Sequence, residues 1–203
     1  MIKQVLLDMD GTLTTVTSPW QYVHEQLGIW EAKGLPYLTA WLDGDMSYEQ
    51  FCIKDAAAWS KEGLHLQDVY KILATIPVPD ATYRFLGRCK ELGIRPSIIS
   101  TGFEFNAEMI LGNAGFTGDQ ADIAANGLVE KDGVIVPELN VVVGEGLAGK
   151  REWARKLMEL HGVAAGEAGA IGDSSADIPL FESVEFSLKV AGPQELANAP
   201  WLE

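Results

Sequence analysis

Residues 5–14 read VLLDMDGTLT, an apolar run that ends in two aspartates one residue apart. The preceding residues 4–7 have the composition of a short buried strand, and Asp8 and Asp10 follow it directly. Side chains at positions i and i+2 of a strand point the same way, so the two carboxyl groups should project together. Ligands of open parallel sheets bind beyond the carboxyl ends of the strands. The stretch therefore predicts a site built on paired carboxylates or, as the plainer alternative, a turn capped by Asp-Gly-Thr.

Apolar runs with strand character recur along the chain, with helical patterns between them. They are IRPSIIS at 94–100, ADIAAN at 121–126, AGAIGD at 168–173 and VEFSL at 184–188. Strands that alternate with helices predict the α/β class, with a parallel sheet covered by helices on both faces. We expect a Rossmann-like three-layer core formed by residues 1–14 and 76–203.

Two segments interrupt this alternation. Residues 15–75 contain helical patterns rich in aromatic residues but no convincing strand, and they end at the proline-containing linker TIPVPD, residues 75–80. These residues are predicted to form a small α-helical cap domain inserted after the first strand. Further along, Asp132-Gly133 lies between two short apolar runs, a pattern typical of a β-hairpin.

The charge balance narrows the class of ligand. The 203 residues include 29 acidic and 15 basic side chains, a formal net charge of −14. Such a charge disfavours nucleic acids and anionic membrane surfaces, although a local cation can still attract a small anionic substrate. Cys52 and Cys89 have no metal-site spacing and are expected to be reduced thiols. Without a long apolar segment, the protein is expected to be cytoplasmic; its oligomeric state stays open.

Polar side chains suited to a phosphoryl group follow the other predicted strands or open a helix between them. They are Ser100, Thr101, Lys150, Asp173 and Asp177. Each has an ordinary structural explanation, such as a helix cap or a solvated first-turn residue. Together, at one edge of a sheet, hydroxyl groups, an ammonium and several carboxylates make a site for a phosphoryl group bound with a metal ion. Oxygen-only ligation favours Mg²⁺.

The ordered set DMDGT, STG, Lys150 and GDSSAD resembles the four motifs of the haloacid dehalogenase superfamily over almost the whole chain. The helical insertion after the first motif, the STGF segment and the AANGLVEKDG hairpin are similar to the phosphoserine phosphatase-like branch of that superfamily. The resemblance implies the same core and cap that the periodicity predicts. It also implies an activity and a set of site residues.

The implied activity is Mg²⁺-dependent hydrolysis of a small phosphorylated metabolite through an aspartyl-phosphate intermediate. Asp8 would attack phosphorus, and Asp10 would protonate the leaving alcohol and then activate water. Mg²⁺ would be held by the carboxylate of Asp8, the main-chain carbonyl of Asp10 and Asp173, with Asp177 ordering metal-bound water or Lys150. The phosphoryl oxygens would be bound by Ser100, the Thr101 amide and Lys150.

The sequence departs from phosphoserine phosphatases where those enzymes bind the amino acid. They typically place a glutamate shortly after the first motif, but here no acid lies between Asp10 and Glu25. Our best register puts Ile53, with Lys54 adjacent, where their cap arginine belongs, and Ala176 replaces an asparagine of the fourth motif. The ammonium and carboxylate groups of phosphoserine would then be left unpaired in the site, which would strongly disfavour its binding. A substrate other than phosphoserine is expected.

Trp20 and Tyr22 lie near the position of the missing glutamate and could contact an apolar group or a cationic headgroup. Aromatic residues at helical spacing are more often the core of a small subdomain. Three alternative functions remain open at this point: phosphoserine phosphatase proper, a phosphotransferase or mutase, and a non-catalytic module that binds a phosphorylated ligand. His24, His65 and His161 are expected to be surface or cap residues rather than ligands.

Overall fold

A computed structural model describes residues 1–143 and 149–202 of the chain. The strands are β1 (Gln4–Leu7), β2 (Arg95–Phe103), β3 (Asp122–Lys131), β4 (Val134–Glu138), β5 (Ala168–Gly172) and β6 (Phe186–Lys189). The α-helices are α1 (Pro19–Gln26), α2 (Leu35–Leu42), α3 (Tyr48–Lys61), α4 (Leu66–Leu73), α5 (Asp80–Leu92), α6 (Glu104–Asn113), α7 (Lys150–Leu160) and α8 (Ile178–Phe181).

The described strands form one sheet in the order β4-β3-β2-β1-β5-β6. Neighbouring strands in the series β3-β2-β1-β5-β6 are parallel, and β4 runs antiparallel to β3. The predicted α/β class, with a parallel sheet and a β-hairpin, is confirmed. The predicted strand at 121–126 and the first arm of the predicted hairpin are one continuous strand, so the hairpin adds an antiparallel edge to the sheet.

Strand β1 lies at the centre of the sheet and is buried on both faces. Val5 and Leu7 belong to a cluster with Leu86 of α5 and Ile110 of α6, whereas Leu6 packs in a separate cluster with Ala154 of α7. A strand buried on both faces reads as a continuous apolar run rather than an alternating one. The three-layer arrangement places the end of β1 in the middle of one edge of the sheet.

Helices α1–α4 lie between β1 and α5 in the chain and have an apolar cluster of their own. Trp20 and Trp59 are buried in it. The cluster also includes Phe103 at the end of β2 and Leu128 and Ile135 from the hairpin. The hairpin therefore packs with the helical segment, so the division into a cap of residues 15–75 and a core stays a prediction.

Two α-helices of this segment begin at serine caps. The Ser18 hydroxyl accepts a hydrogen bond from the Gln21 amide at 3.3 Å, and Ser47 forms a reciprocal capping box with Gln50. A capping side chain satisfies amide groups that have no partner within the helix. These local signals fix where α1 and α3 begin.

The three histidines each pair with a carboxylate. His24 in α1 is fully buried against Asp55 at 2.9 Å, whereas the imidazoles of His65 and His161 lie beside Glu130 and Asp122. Both cysteines are free and buried, as expected. Within residues 1–143 and 149–202, no helix is long and apolar enough to cross a membrane. The cytoplasmic location stays a prediction.

Candidate active site

The end of β1 places Asp8 and Asp10 at the carboxyl edge of the sheet. The Asp8 amide continues the sheet pairing by donating to the Ile171 carbonyl at 2.9 Å, and the carboxyl groups of Asp8 and Asp10 are both buried. After them the chain turns back, with the Leu13 amide donating to the Met9 carbonyl at 2.8 Å. A buried strand thus delivers two carboxyl groups into one small volume.

Lys150, the first residue of α7, pairs with the carboxylates of this edge. Its Nζ atom lies 2.6 Å from Asp8 Oδ1 and 2.6 Å from Asp177 Oδ1. Burial opposes the charged form of the lysine, but the two carboxylates outweigh it and hold the Lys150 pKa above its usual value. The structure therefore places a permanent positive charge against Asp8.

The two aspartates have unusual protonation behaviour. Burial raises the Asp8 pKa to about 7, although Lys150 opposes the shift. Burial and the Asp8 charge raise the Asp10 pKa to about 8. Asp10 Oδ1 is buried without a hydrogen-bond partner among the described residues. At neutral pH, Asp10 thus favours its protonated form, which is the form that a general acid requires.

The end of β2 supplies Ser100 to the same volume. The pairing of β2 with β3 shifts register between Ile99 and Phe103, and a local irregularity of this kind re-aims side chains. The Ser100 hydroxyl donates to Asp10 Oδ2 at 2.8 Å and accepts from the Gly102 amide at 2.9 Å. A Cβ atom at Gly102 would overlap Asp10 Oδ2. Glycine is therefore required for the two strand ends to approach.

The Thr101 carbonyl joins the helical segment to the sheet. It accepts one hydrogen bond from Trp20 Nε1 at 3.2 Å and another from Asn126 Nδ2 at 2.9 Å. Trp20 is buried and lines the cavity that contains Asp8 and Asp10. Tyr22 is not among the described residues that line this cavity; its hydroxyl lies 2.9 Å from Thr75 Oγ1. The structure thus brings Trp20 to the site and directs Tyr22 elsewhere.

The end of β5 supplies Asp173 and Asp177. Asp177 Oδ2 accepts from the backbone amides of Asp173 and Ser174 and from the Ser174 hydroxyl, at 3.0 to 3.2 Å. Its other oxygen faces Lys150. A Cβ atom at Gly172 would overlap the Asp177 carboxyl group. Asp177 is therefore fixed by the chain itself, with both oxygens engaged.

Oxygen atoms of Asp8, Asp173 and Asp177 lie within 4.8 Å of one another. This all-oxygen donor set fits a hard divalent cation such as Mg²⁺. Asp177 is fully buried and one of its oxygens accepts three hydrogen bonds from the chain, so Asp8 and Asp173 are the carboxylates better placed to hold the ion. The Thr12 hydroxyl connects these two, lying 3.3 Å from Asp8 Oδ2 and 3.2 Å from Asp173 Oδ1.

Two adjoining cavities open at this edge. The smaller, about 180 Å³, is lined by Asp8, Asp10, Thr17, Ser18, Pro19, Trp20, Thr101, Lys150, Asp173, Ser174 and Ala176. The larger, about 460 Å³, is lined by Trp41, Thr101, Val142, Val143, Lys150, Ser175, Ala176 and Pro179. Sequence reasoning missed the apolar residues of the larger cavity, because they come from three separate segments and carry no motif.

The residues at the expected arginine position do not line either cavity. Ile53 is 44% exposed on α3, and the Lys54 ammonium lies over the ring of Tyr37, 5.5 Å from its centre. Tyr48, at the start of α3, reaches toward the site instead. Burial raises its pKa well above the usual value, with Cys52 and Asp10 adding to the effect and a hydrogen bond with the Thr101 side chain opposing it. Its hydroxyl is therefore neutral.

The three strand-end motifs and Lys150, at the start of α7, thus meet at one edge of an α/β sheet, as their order in the chain predicts. The family model described as haloacid dehalogenase-like hydrolase matches residues 5–182. The chain belongs to the haloacid dehalogenase-like hydrolase family, and the predicted family is confirmed. A comparison with curated protein sequences finds no significant match.

Solved structures with the same fold include several phosphoserine phosphatases. An apo phosphoserine phosphatase is 18% identical with a TM-score of 0.72, and a substrate-bound one is 19% identical with a TM-score of 0.71; in both pairs 98% of each chain is covered. The enzyme from T. onnurineus is 21% identical with a TM-score of 0.69, covering 98% of this chain and 94% of its own. At these identities the likeness establishes the fold, including the expected likeness to the phosphoserine phosphatase-like branch.

Proposed function

We propose that the protein is a Mg²⁺-dependent phosphomonoester hydrolase that acts on a small phosphorylated metabolite through an aspartyl-phosphate intermediate. The observation that carries the proposal is the convergence of two adjacent carboxyl groups and a buried lysine at one edge of the sheet. Asp8 lies against the Lys150 ammonium at 2.6 Å, whereas Asp10 accepts from the Ser100 hydroxyl at 2.8 Å. Burial raises the pKa of both groups, to about 7 for Asp8 and about 8 for Asp10, but the ammonium contact favours the ionised form of Asp8. Asp8 is thereby suited to attack as a carboxylate and Asp10 to donate a proton.

In the first step, an oxygen of Asp8 attacks phosphorus and the bond from phosphorus to the leaving oxygen breaks. Asp10 gives its proton to that oxygen, which leaves as the alcohol. In the second step, Asp10 takes a proton from water, and the resulting nucleophile attacks the aspartyl-phosphate. The bond between phosphorus and Asp8 breaks, so inorganic phosphate is released and both aspartates return to their starting states.

The phosphoryl oxygens would be bound by Ser100, the Thr101 amide and Lys150. The Ser100 hydroxyl now donates to Asp10 Oδ2. A carboxylate needs a hydrogen-bond donor more than a protonated carboxyl group does. When Asp10 carries a proton, the Ser100 hydroxyl can therefore turn to a phosphoryl oxygen. Positioning and charge neutralisation are the main demands of phosphoryl transfer, and the buried lysine meets the second of them.

Asp8, Asp173 and the main-chain carbonyl of Asp10 would hold Mg²⁺, with Asp177 ordering metal-bound water or Lys150. The support is the cluster of carboxylate oxygens within 4.8 Å. Mg²⁺, when bound, supplies positive charge that favours the ionised form of Asp8 and neutralises the phosphoryl group. Asp177 acts on the site through Lys150, because its other oxygen is held by the chain.

The proposal is tested by incubating the protein with p-nitrophenyl phosphate and a panel of phosphorylated metabolites, with Mg²⁺ and then with EDTA. We expect turnover that EDTA abolishes, and a loss of at least about 10³-fold in Asp8→Asn because the nucleophile is gone. Asp119→Asn, an exposed acid remote in sequence, is the matched control and should keep full activity. Metal-independent turnover or an active Asp8→Asn variant would overturn the mechanism.

The same assay separates hydrolysis from transfer to another hydroxyl group. Hydrolysis releases alcohol and inorganic phosphate in equal amounts, whether or not a second alcohol is added. A phosphotransferase or mutase would instead give phosphorylated acceptor in excess of free phosphate. Binding of phosphorylated ligands without any turnover would favour the non-catalytic module.

A further inference from the structure

The larger cavity beside the catalytic aspartates is lined mainly by apolar side chains. Trp41 from α2 forms one wall, Val142 and Val143 form another, and Pro179 of α8 closes a third. The cavity holds about 460 Å³, against about 180 Å³ for the one that contains Asp8 and Asp10. Thr101, Lys150 and Ala176 line both, so a molecule that fills the smaller cavity can extend directly into the larger one.

The described lining of the larger cavity carries little charge. Among the described residues that line it, Lys150 is the single charged one. Its ammonium is already 2.6 Å from each of two carboxylates and lies at the border with the smaller cavity. A carboxylate or ammonium that leaves water to pack against the described walls would find no free charged partner among them, which disfavours a charged group there.

Two neighbouring aromatic rings pack against Trp41. The ring centre of Trp41 lies 5.4 Å from that of Phe51, in a stacked arrangement, and 5.3 Å from that of Tyr48. Tyr48 is the residue whose neutral hydroxyl reaches toward Thr101. A rigid aromatic face next to a site for a polar group suits a ligand that is apolar at one end and anionic at the other.

From this arrangement we infer that the larger cavity binds the leaving group of the substrate, and that this group is uncharged and apolar, at least the size of a benzyl or branched alkyl group. The inference rests on the proposed phosphatase activity and narrows its substrate class to phosphate monoesters of apolar alcohols. It selects against esters whose alcohol carries an amino or carboxyl group. Trp41 and Val143 act as specificity determinants rather than as catalytic residues.

The first experiment compares kcat/KM for benzyl phosphate, isopentyl phosphate, methyl phosphate and O-phospho-L-serine at fixed Mg²⁺. All four are alkyl esters of similar chemical reactivity, so differences in kcat/KM mainly reflect how the cavity binds the leaving group. We expect benzyl phosphate to exceed phosphoserine by about 10-fold or more, since unpaired buried charges are discriminated more strongly than methylene groups. Methyl phosphate, which cannot reach the apolar walls, should be a poor substrate.

The second experiment uses two variants and a matched control. Trp41→Ala should lower kcat/KM for benzyl phosphate by about 10-fold and change that for methyl phosphate by less than about twofold. Val143→Asn, at a side chain that is 42% exposed and therefore tolerant of a polar replacement, should lower kcat/KM for benzyl phosphate by about threefold. Leu42→Ala, next to Trp41 but 67% exposed and outside the cavity lining, should leave both esters unchanged.

Calorimetry with unreactive phosphonates separates failure of the inference from failure of the proposed function. Benzylphosphonate should bind about 10-fold more tightly than methylphosphonate, and Trp41→Ala should remove the difference. Equal binding of the two phosphonates, or turnover that favours phosphoserine and ignores Trp41→Ala and Val143→Asn, would overturn the inference and leave the phosphatase intact. Tight binding of benzylphosphonate without hydrolysis of any ester would support the cavity's role and overturn the proposed activity.

Discussion

Asp10 is a carboxyl group that its surroundings hold in the neutral form. One oxygen accepts from Ser100, and the other is buried without a partner among the described residues. Such a group is poorly suited to attack phosphorus but well suited to give away a proton. Its importance should therefore depend on how much the leaving group needs that proton.

Asp10→Asn should affect esters unequally. The first-turnover rate with benzyl phosphate should fall by about 10³-fold, because an alkoxide is a poor leaving group without a proton. With p-nitrophenyl phosphate the fall should be much smaller, since nitrophenolate leaves unprotonated. Rapid-quench measurement of alcohol release in a single turnover checks this. Asp119→Asn is the control, and an equal loss with both esters would contradict the assignment of Asp10.

Thr12 is a buried residue whose hydroxyl lies between Asp8 and Asp173. Thr12→Val keeps the shape of the side chain but removes this donor. We expect the Mg²⁺ concentration for half-maximal activity to rise by about 10-fold, as for other groups that orient metal ligands. A Mg²⁺ titration of activity measures the change, and Thr12→Ser should restore most of the affinity. An unchanged titration curve for Thr12→Val would contradict a positioning role.

At the scale of elements, the end of β2 is the part of the sheet most constrained by the site. Its register shift lies between Ile99 and Phe103, where Gly102 packs against Asp10. Gly102→Ala should move the Asp10 carboxyl group and lower kcat by about 10²-fold, the scale expected for a misplaced catalytic group. The variant should still fold, because crowding of this kind typically costs about 1–3 kcal/mol.

Gly87→Ala is the matched control for this substitution. Gly87 lies within α5, and a Cβ atom there would meet no atom within 4 Å. It should leave kcat unchanged and stabilise the protein by about 0.5–1 kcal/mol, because alanine favours a helix interior. Steady-state kinetics and chemical denaturation of both variants give the comparison. A Gly102→Ala variant with full activity would show that the two strand ends tolerate separation.

Local patterns in the sequence predict most of the elements. Residues 4–7 form a strand as expected, and the Asp132-Gly133 turn adopts positive φ values of 52° and 75°, as a tight hairpin requires. Asp8, Ser100 and Asp173 meet because the carboxyl ends of parallel strands share one edge of a sheet. These predictions needed only periodicity and one topological rule.

Contacts between distant segments could not be predicted in this way. Trp41, Val142 and Pro179 line one cavity only because the helical segment docks over the sheet, and no periodicity encodes that approach. For the same reason, nothing in the sequence distinguished Trp20, which lines the catalytic cavity, from Tyr22, whose hydroxyl lies against Thr75. The reaction was therefore easier to predict than the walls of the substrate cavity.

At the scale of the whole molecule, the carboxyl cluster makes stability depend on pH. In the metal-free protein, burial raises the pKa values of Asp8 and Asp10 from 3.8 to about 7 and about 8. The folded state therefore binds more protons than the unfolded chain between about pH 4 and pH 8, so the free energy of unfolding falls as pH rises. With EDTA present, we expect the melting temperature to drop on the order of 15 °C from about pH 5 to about pH 8.

Asp10→Asn separates this effect from general charge repulsion. The net charge of −14 also destabilises the protein as pH rises, but the variant retains almost all of that charge. Its melting temperature should vary less between the two pH values than that of the parent protein. Added Mg²⁺ should stabilise the parent more at about pH 8 than at about pH 5, because the ion competes with protons for the carboxylates. Equal slopes in both proteins would contradict the raised pKa of Asp10.

Substitutions at Gly102 and Gly172 and substitutions in the lining of the larger cavity should have different consequences during evolution. At both positions, a carboxyl group of the site fills the space that a Cβ atom would take. Almost any side chain at these two positions would displace a carboxyl group of the site. Descendants that keep the activity should therefore keep both glycines. Val143 and Pro179, by contrast, line the neighbouring cavity with side chains that can be exchanged without moving the strand ends. Selection can therefore change which alcohol the substrate carries, while the residues that act on phosphorus stay the same.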